Sequence, residues 1–156
     1  MAEHELIARI NAYLLIKLPG IAARLPSEGV IPTENHVPEE IFVPSNINED
    51  FFASDTETEL MCRHDVSPLI IKRYLSGGYL AQFNFSYYIQ CANVLICRRT
   101  LEAIQDCLAI DNFTDLFGLQ SGRIIVVTRP TPVSRDESGI SIYTSSYRLE
   151  FQEGIA

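Results

Sequence analysis

The sequence predicts an α+β fold: a four-stranded, mostly antiparallel sheet made of two β-hairpins, a central helix packed on one face, an N-terminal helix and a long irregular arm. Three observations predict it. The twelve residues Tyr79–Gln90 alternate aromatic or apolar with polar side chains, the period of two that belongs to a strand. The stretch from Val94 switches to the 3–4 spacing of an amphipathic helix. Short β-compatible runs punctuated by glycine turns lie on both sides of that helix. Two hairpins separated by one helix bury their apolar faces most simply as a helix layer on a sheet.

The elements follow in order. Leu6, Ile10, Tyr13, Leu14 and Lys17 recur on one helical face, which predicts a helix over 2–18 stopped by Pro19-Gly20. Residues 19–67 form the arm. Pro26, Pro32, Pro38 and Pro44 fall at six-residue intervals there, forbidding a continuous helix and interrupting a ladder. Two readings of the arm stay open: an irregular segment draped over its own domain, or a strap that orders against another subunit. The β-β-α-β-β core spans 68–153. Leu69–Leu75 and Tyr79–Gln90 make the first hairpin, with Ser76-Gly77-Gly78 as its tip. The second strand points Tyr79, Ala81, Phe83, Phe85, Tyr87 and Ile89 one way and Gln82, Asn84, Ser86 and Gln90 the other. At about 40 Å fully extended it is longer than one small core requires.

Asn93 is a suitable cap for the central helix, expected from Val94 to about Ile110. Val94, Cys97, Leu101, Ile104 and Leu108 form its buried stripe, and Arg98, Arg99, Glu102, Gln105 and Asp106 its wet face. The unbroken apolar run Ile124–Val127 reads as a strand covered on both faces, with Pro130 and Pro132 ending it or marking an edge. Asp136-Glu137-Ser138-Gly139 makes the second hairpin turn. In the last strand Tyr143, Tyr147, Leu149 and Phe151 oppose Arg148, Glu150 and Gln152. The connection through the central helix is expected to cross over if the two strands flanking it run parallel.

At 156 residues, the chain fits a single domain, 1–156, able to bury a core without disulfides or metal. Its net charge of −8 opposes affinity for nucleic-acid backbone or anionic membrane. The surplus is localised: residues 1–65 hold twelve acids and four bases, and 66–156 hold eight of each. Between Arg24 and Arg63 there is no basic residue. Uncharged apolar runs fall short of the ~18 residues of a membrane span. Glu3 and Glu5 stand in place of a basic leader region, so an intracellular product is expected.

Catalytic and metal signatures do not emerge. The sequence holds no glycine-rich nucleotide loop, no Gly-x-Ser-x-Gly and no His-Glu-x-x-His. Cys62, Cys91, Cys97 and Cys107 lack Cys-x-x-Cys spacing and read as buried, reduced thiols. The run Cys62-Arg63-His64-Asp65 contains thiol, imidazole and carboxylate, but adjacent residues rarely converge on one atom. Glu39-Glu40 and Asp136-Glu137 read as solvated loop carboxylates, and the Asn84 and Asn112 sequons carry no weight without a secretory leader. Arg98-Arg99 suits a phosphate or, on a net-acidic chain, neighbouring carboxylates. No cofactor is expected, and the profile is that of a structural or interaction protein.

Residues 68–153 resemble the tail terminator family of tailed bacteriophages, which includes small minor capsid or tail completion proteins. The likeness lies in the glycine-turned hairpin running into a long aromatic strand and then a helix. It continues through Asn112–Leu119, the strand end Val126–Pro132, the turn Asp136–Gly139 and the final strand Ile142–Phe151. The resemblance implies a structural virion protein, assembled in the host cytoplasm and located in the tail or neck. Its copies would form a ring, typically hexameric, that caps the tail tube and offers its other face to a neck connector. Partners would be further copies of itself, the tube protein and the connector, with genomic DNA only passing through the channel and no membrane involved. Candidate contacts under this reading are the Ser76-Gly77-Gly78 tip, Arg98 and Arg99, and the acidic groups Glu39, Glu40, Asp136 and Glu137. Acidic groups facing the lumen would repel the passing DNA. The rival in the same class is a stopper or completion ring, and tail-like secretion or contraction devices would use the same ring physics. From a different class, a small-molecule binder or cysteine hydrolase would need a pocket at Cys62 and His64.

Overall fold

The computed structural model describes residues 3–24, 41–53, 57–65, 70–73, 79–109, 122–135 and 139–153. Two helices and a mixed sheet make an α+β arrangement. In chain order these are α1 (Glu3–Arg24), β1 (Asn48–Glu49), β2 (Glu59–Asp65), β3 (Ile70–Arg73), β4 (Tyr79–Cys91), α2 (Val94–Leu108), β5 (Gly122–Arg135) and β6 (Ser141–Glu153).

The sheet has six strands rather than the four expected. Five follow the order β1-β2-β4-β6-β5, and β3 pairs with β4 off that path. Both expected hairpins are present: Ile70 lies opposite Ala81 in the first, and Arg135 opposite Ser141 in the second. The additional strands come from the segment expected to be an irregular arm. β2 runs antiparallel to β4 from Glu59 opposite Gln90 to Asp65 opposite Asn84, and β1 runs parallel to β2. Since β6 pairs with β4 along its whole length, β2 and β3 lie end to end on the other edge of β4. The arm reading is corrected accordingly. Leu60 and Cys62 point to one face and are buried (1% exposed each), a strand pattern concealed by charged neighbours and by Met61 between them, itself buried at 8%.

β4 carries the core. Ala81, Phe83, Phe85, Tyr87 and Ile89 are all at 0% exposure, and Tyr147, Leu149 and Phe151 of β6 extend the same layer. The rings interlock, with Phe85 stacked on Tyr147 at 5.6 Å between centroids and on Phe83 at 5.7 Å. Both helices cover this face: α2 packs on β4, β5 and β6, and α1 on α2 and β2. α2 begins as its sequence dictates. The Asn93 side chain accepts from the backbone N–H groups of Leu95 (3.0 Å) and Ile96 (3.4 Å). Its buried stripe includes Cys97, Leu101, Ile104 and Leu108. β4 and β5 run in the same direction with β6 between them, so α2 spans a split crossover.

α1 departs from expectation at its end, continuing through Pro19 to Arg24 rather than stopping at Pro19-Gly20. It buries Leu6, Ile7, Ile10, Leu14 and Leu18 against the core. Lys17, expected on that face, instead lies exposed, its Nζ 5.8 Å over the Tyr13 ring. By length and composition Leu6–Ala23 is apolar enough to cross a bilayer; in the fold 33% of that stretch is buried.

The described part of the expected arm is tied to its own domain. The Phe42 N–H donates to Thr100 Oγ1 (2.8 Å), whose hydroxyl donates to the Ile96 carbonyl, and Asp50 N–H donates to the Cys62 carbonyl (2.9 Å).

Candidate interaction edges

Each end of the sheet order exposes a strand of opposite character. β5 closes one end. Sequence reading expected Ile124–Val127 to be covered on both faces; that is corrected, because Val126 and Val127 are exposed and, among the described residues, β5 pairs only with β6. Ile124 and Ile125 are half-buried, while Val126, Val127 and Val133 are 36%, 52% and 52% exposed. Pro130 and Pro132 lie inside the strand and accompany its register shifts, as an edge position permits. Arg123, Arg129 and Arg135 are the only charged residues of β5. Arg123 is engaged within the chain, donating to Glu150 Oε2 from Nε (3.1 Å) and from the terminal guanidinium nitrogen (2.9 Å).

Arg98 and Arg129 converge on one groove, of about 440 Å³, between α2 and β5, lined also by Glu102, Gln105 and Pro130. Sequence reading singled out Arg98 and Arg99 as neighbours in the chain; the fold separates them. Arg98 is exposed in the groove, whereas Arg99 is half-buried and already has a contact. Arg129 was missed, because pairing it with Arg98 requires knowing that β5 passes beside α2. Gln105 Oε1 is buried without a hydrogen-bond partner among the described residues.

At the other end of the order sits β1 with the segment around it. Glu49 and Asp50 are exposed, and Phe51 (59%) and Val43 (39%) stand in solvent beside them. Asp50 adopts φ 67°, a backbone state tolerated by Asp and Asn. A second groove of about 290 Å³ on this side is lined by Phe42, Glu57, Thr58, Glu59 and Leu60 among others. The remaining candidate contacts, Ser76, Gly77, Gly78, Glu39, Glu40, Asp136 and Glu137, lie outside the described residues, as does Asn112–Leu119.

The thiols are interior. All four cysteines are free and buried. Cys62 is 1% exposed and touches Tyr87, while His64, two residues on, stacks on Phe83 at 4.6 Å. That arrangement packs thiol and imidazole into the core layer. Cys91, at the end of β4, accepts from Asn93 N–H (3.4 Å) and the Thr58 hydroxyl (3.7 Å). The Cys97 thiol beside it, together with these donors, pulls Cys91 down to about 6 against the opposing effect of burial. The same contact, with burial, pushes Cys97 upward. Cys91 is 4% exposed. Among the described residues no cluster of three or more His, Cys, Asp or Glu side chains could hold a metal ion.

No protein-family model matches the chain, and no curated protein matches it.

Proposed function

We propose that this chain is the subunit of a ring that terminates a phage tail tube and joins it to the neck on the head side, working by surface complementarity without catalysis. One observation carries the reading: a sheet with a closely packed inner face ends in a fourteen-residue strand that carries three exposed valines and, among the described residues, pairs on one side only. Open edges of this length invite another protein chain. Isolated soluble domains generally cover, shorten or charge such edges, and β5 is only partly defended, by its arginines and two prolines. The order of hairpin, long aromatic strand, helix and hairpin supports the resemblance to tail terminators. The burial of Cys62 and its contact with Tyr87 favour the structural reading over the hydrolase one.

In such a ring one face would copy the surface that a tube subunit docks on, and the other would lack the surface that accepts a further tube layer. The test is tube growth. Purified tail-tube protein polymerising in the presence of this chain should stop at shorter lengths, with the chain located at tube ends. Tubes of unchanged length with no bound chain would contradict the assignment, and binding to purified heads alone would reassign it to a stopper.

A further inference from the structure

Resting on that ring reading, we infer that successive subunits join head to tail, the α2–β5 edge of one copy seated against the β1 edge of the next. Charge is the first ground. β5 has three arginines and no acid in a chain of net charge −8. Arg123 is paired with Glu150, and Arg98 of α2 joins Arg129 at the groove, which Glu102 also lines. The β1 side presents Glu49 and Asp50 inside a stretch that has no basic residue between Arg24 and Arg63. The two edges stand at opposite ends of the strand order, so one subunit can engage a neighbour on each side at once.

Apolar surface is the second ground. Val127 and Val133 on one edge are each 52% exposed, and Phe51 and Val43 on the other are 59% and 39% exposed. Phe51 is the kind of aromatic anchor that dominates interface energetics when it enters a groove. The third ground is Gln105. The residue lines the α2–β5 groove, and its amide oxygen is buried without a donor among the described residues. A polar donor carried by the incoming edge would satisfy it.

The alternative of pairing like edges fails on the same grounds. Two β5 edges face to face would set one patch bearing Arg98, Arg129 and Arg135 against an identical cationic patch, and like charges in an interface weaken it severely. Pro130 and Pro132 also remove two backbone donors, so β5 cannot add a continuous strand. Contact is therefore through side chains, and unlike patches meeting in this way make rings when the rotation closes.

Charge reversal on each edge tests this. One variant carries Arg129→Glu with Arg135→Glu. The other carries Glu49→Lys with Asp50→Asn, the asparagine keeping a residue that accepts φ 67°. Each variant alone should weaken self-association by at least about tenfold, read as loss of the oligomer mass, while melting as a folded monomer. Mixed in equal amounts, the two variants should regain the wild-type mass, because every contact in an alternating ring is again complementary. Oligomers unaffected by either reversal, a mixture that stays monomeric, or a wild-type chain that never self-associates would each overturn the inference. Tube capping separates the two levels: wild-type capping with indifferent variants removes this contact and keeps the ring, whereas absent wild-type capping removes the terminator reading itself.

Discussion

Tyr87 shows how a single polar group can be held in an apolar layer. Its hydroxyl donates to Asn11 Oδ1 at 2.6 Å, joining β4 to α1 across the core, and Asn11 is itself 7% exposed. Neither group has water to fall back on, so each depends on the other. Tyr87→Phe should destabilise the chain by about 1–3 kcal/mol, because the Asn11 acceptor is left buried and unsatisfied. Adding Asn11→Leu should then cost less than the sum of the two single changes, and a urea-denaturation cycle in which the costs add would contradict the pairing. Tyr87 and Tyr147 also predict a dependence on alkaline pH. Burial holds both phenols neutral, Tyr147 being pushed up to about 12 despite the Ser145 hydroxyl at 2.9 Å, and Tyr87 well above its ordinary value. A phenol whose folded pKa exceeds the unfolded value of 10 keeps its full contribution below pH 10. That contribution is lost as pH rises from about 10 to about 12, since the unfolded chain releases the proton first. Urea midpoints should therefore be flat just below pH 10 and fall above it; midpoints rising over that interval would contradict the burial.

The elements divide into those written locally and those decided by tertiary contact. β4 and α2 were legible because their periodicity is unbroken and Asn93 supplies an explicit start signal. Gly139, at φ 89°, was legible as a turn residue because few side chains accept that backbone state. β2 was not legible: its inward positions are Leu60, Cys62 and His64, of mixed polarity, and it becomes a strand by lying beside the aromatic face of β4. The covering of β5 was misjudged for a related reason, since an apolar run does not reveal whether the strand is central or at an edge. α1 runs past Pro19 although proline removes a helical donor and crowds the preceding turn, and burial of Leu14 and Leu18 against the core outweighs that cost. Pro19 is exposed, so Pro19→Ala should stabilise the chain by up to about 3 kcal/mol, raising its melting temperature. A lowered melting temperature would contradict this. Of the candidate site, Arg98 was legible as part of a wet helix face, but Arg129 was not, because thirty residues and a split crossover separate them in the chain.

At the scale of the whole molecule, charge and sheet topology coincide. The exposed carboxylates Glu49 and Asp50 at β1 and the arginines of β5 fall at opposite ends of the strand order, giving the described sheet an electrostatic polarity along its width. A domain that is sealed on its helical face and polarised between two open edges is suited to repeat around an axis. The steepness of any salt dependence follows, since exposed charges more than about 10 Å apart are largely screened at 0.1 M salt. The most direct measurement is the mass of the purified chain in solution at low salt. The account predicts a single closed species of about six copies of the 17.6 kDa chain, unchanged in size as concentration rises further. A chain that remains at 17.6 kDa at every attainable concentration, or one that grows without limit, would contradict it.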